Sequence, residues 1–243
     1  MLSDKPWKPE AVLRLAASVS FCLAVGMAVT LSLEHWLPGL GKSQKDFISF
    51  VAGGVCFQGA AMVFVHFFLR EHGLTWREGF GLSEGKFSRM LALAGLAIVV
   101  VLPVALALGK LSELVMLRTG RTPQLQIAVQ MLQTKLPLGQ ILVYALAAVV
   151  LAPVAEEVLF RGVLYPTLKQ SGHRWLALWV TSLLFASIHF NLMAFVPLTF
   201  LALVLAWLYE RTGNLLASIL AHVLFNAVNF TLLMFAPSLV KGH

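Results

Sequence analysis

The chain has 243 residues, of which 59% are hydrophobic and 12% are charged, with a formal net charge of +7 and a mean hydropathy of +0.84. A soluble domain carries about 25% charged residues, so this composition excludes an ordinary water-soluble fold and indicates a polytopic membrane protein. The excess of basic residues does not indicate a nucleic-acid partner. Lysines and arginines stand mostly between apolar runs, where they orient membrane helices and meet anionic headgroups.

Long apolar runs predict an all-α bundle of about seven transmembrane helices, or eight if the third or fourth run is broken. No linker or low-complexity stretch divides the chain, so we expect a single membrane domain over residues 1–243. The fifth and sixth spans are short, which suits the interior of a bundle or a locally thinned bilayer. The predicted spans are 12–37, 46–70, 89–117, 138–165, 174–190, 193–210 and 215–236.

The segment from Arg70 to Arg89 is amphipathic and contains several glycines. We expect it to lie at the membrane interface, with Trp76 and Phe80 as anchors. When the N-terminus is placed on the same side as this segment, that side holds most of the basic residues. The bias predicts a cytoplasmic N-terminus and an external C-terminus. We expect an integral protein of a bacterial-type cell membrane.

Two adjacent glutamates follow the fourth apolar run, in the sequence Glu156-Glu157-Val158-Leu159-Phe160-Arg161. A carboxylate near hydrocarbon costs roughly 2.5–3.5 kcal/mol on insertion scales, so a chain retains one mainly for function. Glu157 and Arg161 stand at i and i+4 with the acid first, which favours an ion pair on one helix face. Glu156 points about 100° away and is left to titrate, accept a proton or bind a ligand. Pro153 and Gly162 bracket the motif, and we expect a helix break here.

Three more polar residues stand in later apolar runs. His189 ends the fifth span, four residues after Phe185, and taken alone it favours a structural or interfacial interpretation. His222 and Asn226 lie in the middle of the last span at i and i+4, on one helix face. Polar groups on that face must be satisfied by another helix or by enclosed water, so interhelical hydrogen bonding is the alternative to chemistry. For the glutamate pair, the alternative is solvation at the headgroup level.

These side chains together are suited to hydrolysis. A carboxylate takes a proton from water, a histidine shares or relays that proton, and a second histidine with an amide N–H stabilises an oxyanion. The set Glu156, His189 and His222 is also one that binds Zn²⁺, whose bound water would then be the nucleophile. The HExxH motif of the common zinc proteases is absent.

The order Glu-Glu-x-x-x-Arg, Phe-x-x-x-His and His-x-x-x-Asn resembles that of the CPBP intramembrane proteases, the group of CAAX prenyl proteases and bacteriocin-processing enzymes. The motifs occupy residues 138–230, which would be the protease core, and the first three spans carry none of them. The resemblance implies an endopeptidase that cuts a peptide bond in a hydrophobic or lipid-anchored substrate, such as a CAAX-like protein or a leader peptide. Its partners would be that membrane-associated protein or peptide and the lipid bilayer.

The resemblance also implies a role for each motif residue. The catalytic residues would be a water-activating pair and an oxyanion pair, and an ion pair would support the catalytic carboxylate; these are Glu156 with His189, His222 with Asn226, and Glu157 with Arg161. The family includes enzymes called metalloproteases and others that look like metal-free glutamate proteases. No metal is therefore assigned; in a zinc enzyme, the ligands would be Glu156, His189 and His222.

Two other classes of function compete with the protease. The first is a non-catalytic immunity or scaffold protein that keeps the same fold, against which the intact motifs argue. The second is a proton-coupled transporter with Glu156 as its relay. Matched broken helices or inverted repeats, which would favour a transporter, are not visible in the sequence.

Overall fold

The computed structural model describes residues 2–124 and 136–235, and this part of the chain is helical without a β-strand. Six of its helices are long and apolar enough to cross a membrane, and a shorter apolar helix lies among them. The predicted all-α bundle is therefore confirmed. The helices are α1 (Pro9–Trp36), α2 (Lys42–Glu71), α3 (Trp76–Phe80), α4 (Phe87–Arg118), α5 (Leu138–Lys169), α6 (Arg174–Ser187), α7 (Leu192–Thr212) and α8 (Leu215–Phe235). The last residue of the seventh predicted span lies outside the described residues.

Helix α5 lies between two hydrophobic clusters and is the element that carries the glutamate pair. One cluster joins it to the N-terminal segment, α1, α2 and α3, and the other joins it to α4, α6, α7 and α8. Helix α7 is the most deeply packed, since it contacts α4, α6 and α8, and its Leu201, Ala202 and Leu205 are fully buried. Glu157 and Arg161 on α5 are buried, so these polar groups face other helices rather than lipid.

The expected helix break around the glutamates is wrong, because α5 is continuous from end to end. Its hydrogen-bond ladder changes instead, with π-helical segments at Leu146–Leu151 and Val158–Leu164. The α-helical stretch Ala152–Glu157 lies between them, with Pro153 in its first turn. π-Helical turns are rare and are frequent at functional sites. Their placement on both sides of the glutamates marks this stretch of α5 as the place to look for chemistry.

The N-terminal segment packs against the C-terminal half of α5. Trp7 is buried, and its indole Nε1–H donates to the carbonyl oxygen of Gly162 at 3.1 Å. Lys169 Nζ donates to the carbonyl oxygen of Leu2 at 2.8 Å, and Asn214 on the α7–α8 connection donates to the carbonyl oxygen of Glu84. The N-terminus, the loop after α3 and the α7–α8 connection therefore share one end of the bundle.

Phe80 fills a space that Gly162 leaves open. A Cβ atom added at Gly162 would lie 2.6 Å from Cε1 of Phe80, which is too close for two carbon atoms, so only glycine fits here. Phe80 is fully buried and its ring is 6.5 Å from the ring of Trp7. Its predicted role as an interfacial anchor is therefore wrong, because the aromatic ring packs into the bundle. Trp76 is half-buried, and its Nε1–H donates to His66 at 3.3 Å.

Candidate active site

Glu157 is the centre of a buried charge cluster. Arg161 Nη1 donates to Glu157 Oε1 at 2.7 Å, and His222 Nδ1 lies 2.9 Å from the same oxygen. The side chains of Glu157 and Arg161 are 0% and 3% exposed, so this is an ion pair within the protein interior. Because a carboxylate only accepts, His222 donates through Nδ1–H. The predicted i,i+4 pair is therefore present, and the same carboxylate also orients His222.

Phe185 joins the three sequence motifs. The Arg161 guanidinium lies 4.5 Å from the centre of its ring, a cation–π contact. The rings of His189 and His222 have their centroids 4.9 Å and 5.8 Å from the Phe185 ring. Arg161 Nη2 also donates to the carbonyl oxygen of Ala202 at 3.2 Å, which ties α5 to α7. The phenylalanine of the second motif thus positions a residue of each motif, a role that the sequence did not predict.

Glu156 faces a cavity of about 450 Å³ between α1 and α5. Its side chain is 13% exposed, and its Oε2 atom lies 3.9 Å from Nε2 of His222, too far for a hydrogen bond. No described side chain donates a hydrogen bond to it, so the carboxylate is available to water or a ligand. The cavity is lined by Val12, Leu15, Ala16, Val19, Ser20, Leu23, Phe57, Glu156, Leu159, Phe160, Val163, Leu164, Ile188, His189 and Phe190.

His189 is the second ionisable group that lines this cavity. Its Nδ1 lies 2.8 Å from the carbonyl oxygen of Phe185, and a carbonyl only accepts, so Nδ1 carries a proton. The neutral ring therefore presents an unprotonated Nε2, which is able to accept a proton. The next residue, Phe190, is 95% exposed and has φ of 47°, a left-handed conformation that is unusual for an aromatic residue. This turn carries the His189 ring to the cavity.

Asn226 contacts the first π-helical segment of α5. Its Nδ2 donates to the carbonyl oxygen of Ala148 at 2.8 Å. The amide nitrogen carries two hydrogens, so one N–H remains for another acceptor. His222 and Asn226 both bond to α5, which agrees with the prediction that they share a face. They are not among the residues that line the cavity: His222 contacts Glu157 and lies 3.9 Å from Glu156, and Asn226 contacts Ala148, eight residues before Glu156 on α5.

The site lies deep in the bundle. Lys169 and Arg174, where α5 ends and α6 begins, both pair with Glu210, at 3.1 Å and 3.7 Å, so the two helices share a level there. At 1.5 Å per residue, Glu156 lies about 20 Å along α5 from this level, and the 14 residues of α6 carry His189 about as far. The short α6 therefore ends at the depth of Glu156.

The described residues do not form a ready zinc site. No group of three or more histidine, cysteine, aspartate or glutamate side chains among them is arranged to hold a metal ion. In the predicted ligand set, Nε2 of His222 lies 3.9 Å from Oε2 of Glu156, and the donation of Nδ1–H to Glu157 leaves Nε2 free, as it is in a histidine that binds a metal.

Fold and site together define a helical membrane protein with a buried carboxylate–histidine centre beside an apolar cavity. Residues 138–228 match the family model described as type II CAAX prenyl endopeptidase Rce1-like. The resemblance to the CPBP and CAAX protease family is therefore confirmed over this segment, which holds α5 to α8 and all three motifs. Helices α1 to α4 lie outside the matched residues.

One curated relative is also similar to this chain. It is the uncharacterized protein YpbD of Bacillus subtilis (strain 168), which is 38% identical over 78 residues. The similarity covers 30% of this chain and 37% of that protein. No solved structure shows a significant match to the chain. The family thus supports an intramembrane protease of the CAAX type, and the relative adds no activity.

Proposed function

We propose that this protein is an intramembrane endopeptidase that hydrolyses a peptide bond in a hydrophobic or lipid-anchored substrate, with Glu156 as the base that activates water. One observation carries the proposal: Glu156 and His189 line the same apolar cavity at the same depth, and Glu156 accepts no hydrogen bond from a described side chain. A solvated surface carboxylate would not be placed this way. The Rce1-like match over residues 138–228 supports the same chemistry.

In the first step, Glu156 takes a proton from a water molecule in the cavity while the water oxygen attacks the carbonyl carbon of the scissile bond. His189 Nε2 lies in the same cavity and is available to orient the water or to exchange a proton with Glu156.

In the second step, the negative charge develops on the former carbonyl oxygen. From the family resemblance we assign its stabilisation to His222 Nε2 and the second N–H of Asn226. Neither residue lines the cavity, so this role requires the substrate carbonyl to reach past the cavity lining toward α8. Glu157 favours this role because its carboxylate holds the Nδ1 proton of His222 at 2.9 Å. The two carboxylates of the cluster face one guanidinium, that of Arg161. Because Nδ1–H of His222 is bonded to Glu157, donation from Nε2 to the oxyanion requires the doubly protonated form of the ring.

In the last step, the C–N bond breaks, the oxyanion collapses to a carboxylic acid, and the leaving amine receives the proton that Glu156 took from water. His189 is placed to pass this proton when the amine lies on its side of the cavity. The carboxylate of Glu156 is then restored. Between the first and last steps the transferred proton is held by Glu156, and water is the only other reactant besides the substrate.

We also propose that the end of the bundle that holds the N-terminus faces the cytoplasm. The contacts of Lys169 with Leu2 and of Asn214 with Glu84 bring the basic N-terminal segment and the segment after α2 to one end. Positively charged residues favour the cytoplasmic side of a membrane. Glu156 would then lie about 20 Å from that side, within the hydrocarbon region.

The test is cleavage of a farnesylated CAAX-type peptide by the purified full-length protein in lipid vesicles. Wild-type protein should release the C-terminal peptide, and Glu156→Gln should reduce turnover to background while it leaves folding and peptide binding nearly unchanged, because glutamine cannot take the proton. A parallel sample with a chelator decides whether a metal takes part. Equal turnover by wild type and Glu156→Gln would refute the proposed role. Survival of a cellular phenotype in Glu156→Gln at normal protein level would favour the immunity or scaffold interpretation.

A further inference from the structure

Helix α1 supplies one wall of the cavity that contains Glu156, although it lies outside the segment matched to the protease family. Its lining residues fall at i, i+3, i+4, i+7, i+8 and i+11, and so form one stripe along the helix; they are Val12, Leu15, Ala16, Val19, Ser20 and Leu23. Such a stripe is the single face of one α-helix. The opposite wall comes from α5, and Phe57 enters from the π-helical segment of α2.

Two residues of the stripe have small side chains that are accessible from the cavity. Val12, Leu15 and Val19 are buried, whereas Ala16 and Ser20 are accessible and stand at i and i+4. Side chains at this spacing lie one above the other on the same face. The two small residues therefore leave the room that makes a cavity of about 450 Å³, which is within the range of sites for drug-sized ligands.

The chemistry of the lining selects an uncharged apolar occupant. Two of the lining residues are ionisable, Glu156 and His189, and neither lysine nor arginine is among them. A substrate carboxylate would meet the carboxylate of Glu156 in a low-dielectric space without a cation to balance it, which is unfavourable. A hydrocarbon group meets apolar side chains on α1, α2 and α5. The cavity is therefore suited to the apolar group of the substrate and not to its charged C-terminus.

The position of α1 relative to Glu156 is fixed by a specific contact. Trp7, just before the first residue of α1, donates its indole N–H to the carbonyl oxygen of Gly162 at 3.1 Å. Gly162 lies in the π-helical segment that follows Glu157. This buried bond sets the distance between the α1 wall and the helix that carries the catalytic carboxylate, so the width of the cavity is defined by the fold.

We infer that α1 is the specificity-determining wall of the site, and that Ala16 and Ser20 set how bulky an apolar substrate group fits beside Glu156. This inference rests on the proposed endopeptidase function. Larger side chains at these two positions would fill the cavity without overlapping the buried residues of the stripe. They would therefore discriminate between substrates by size while the catalytic residues stay unchanged.

The experiment compares one peptide in its farnesylated and its geranylgeranylated form, with full-length protein in lipid vesicles. Ala16→Phe should lower kcat/KM for the geranylgeranylated peptide on the order of tenfold more than for the farnesylated peptide. Ser20→Phe, one turn further along, should act in the same direction. Val25→Phe is the matched control, because Val25 is 43% exposed, lies on the opposite side of α1 from Ala16 and does not line the cavity, and it should leave the ratio unchanged. Equal losses for both peptides in both inner-face variants, or the same effect from Val25→Phe, would overturn the inference.

A binding measurement separates this inference from the proposed function. A photoreactive isoprenoid peptide is crosslinked to the Glu156→Gln protein, and the labelled residues are mapped by mass spectrometry. Label on the inner face of α1, reduced by Ala16→Phe and not by Val25→Phe, is expected whether or not the wild type cleaves either peptide. Label confined to the other helices would refute the α1 wall even for an active protease. Absence of cleavage with label on α1 would refute the endopeptidase and keep the binding site.

Discussion

The buried ion pair between Glu157 and Arg161 allows a quantitative test of how the site is held together. We consider Arg161→Met, Glu157→Gln and the double variant. Methionine keeps the volume of the arginine stem and a favourable contact with the Phe185 ring. Glutamine keeps an oxygen that accepts from Nδ1 of His222. Each single variant therefore removes one charge and leaves the other buried without its partner.

The structure gives the size of the effect. With side chains 0% and 3% exposed, loss of one partner should destabilise the protein by about 3–5 kcal/mol, because an uncompensated charge remains in the interior. Such a loss should lower the Tm by roughly 6–20 °C for a chain of this size. If the two residues acted independently, the double variant would lose about 6–10 kcal/mol, which is comparable to a typical total stability. Because the second substitution removes the charge that the first left unpaired, we expect the double variant to be at least as stable as either single variant.

The assay is thermal unfolding of the purified protein in detergent, followed by the fluorescence of its six tryptophans. Arg14→Met is the matched control, since the Arg14–Glu71 pair is 62% and 42% exposed and should contribute at most about 1 kcal/mol. A double variant whose loss equals the sum of the two single losses would show that the pair is not coupled. That result would refute the assignment of Glu157 and Arg161 as a single buried unit.

Two further substitutions test contacts that lie on either side of the glutamate pair. Trp7→Phe keeps the aromatic packing but removes the indole N–H that donates to the carbonyl oxygen of Gly162. It should lower the free energy of unfolding by about 1–3 kcal/mol, and it should lower kcat more than Trp76→Phe, the half-buried control. An unchanged Tm would show that the bond does not hold the N-terminal segment. If Asn226 supplies one oxyanion donor, Asn226→Ala should lower turnover of the farnesylated peptide by about 10²–10³-fold and leave KM little changed. A loss of folded protein alone would show that Asn226 acts only through its contact with Ala148.

The sequence predicted the helices well because each one is an uninterrupted apolar run, and a run of that kind has few other ways to satisfy its backbone in lipid. It also predicted the Glu157–Arg161 pair, because partners at i and i+4 are neighbours on any α-helix. The shared face of His222 and Asn226 follows from the same spacing. These are local properties, and their geometry is set by the helix itself.

The remaining features depend on contacts between distant parts of the chain. The bond from Trp7 to Gly162 joins residues 155 positions apart, and no pattern in either region indicates it. The π-helical segments have no composition of their own, and one of them replaced a break expected from Pro153 and Gly162. The sequence predicts Phe80 as an interfacial anchor, because aromatic side chains are common at the membrane interface. The slot at Gly162 that buries it exists only once the helices have packed.

The geometry explains why this chain carries two adjacent glutamates rather than one. Neighbouring residues of a helix point about 100° apart, so a single turn of α5 directs one carboxylate inward and the other toward the cavity. Glu157 is paired with Arg161 and bonded to His222, so its Oε1 atom is a fixed acceptor within the bundle. Glu156 lines the cavity and accepts no hydrogen bond from a described side chain. The burial of the Glu157 charge is offset by these two partners, whereas the Glu156 carboxylate is left open to the cavity, which is the arrangement that the proposed role of Glu156 as a base requires.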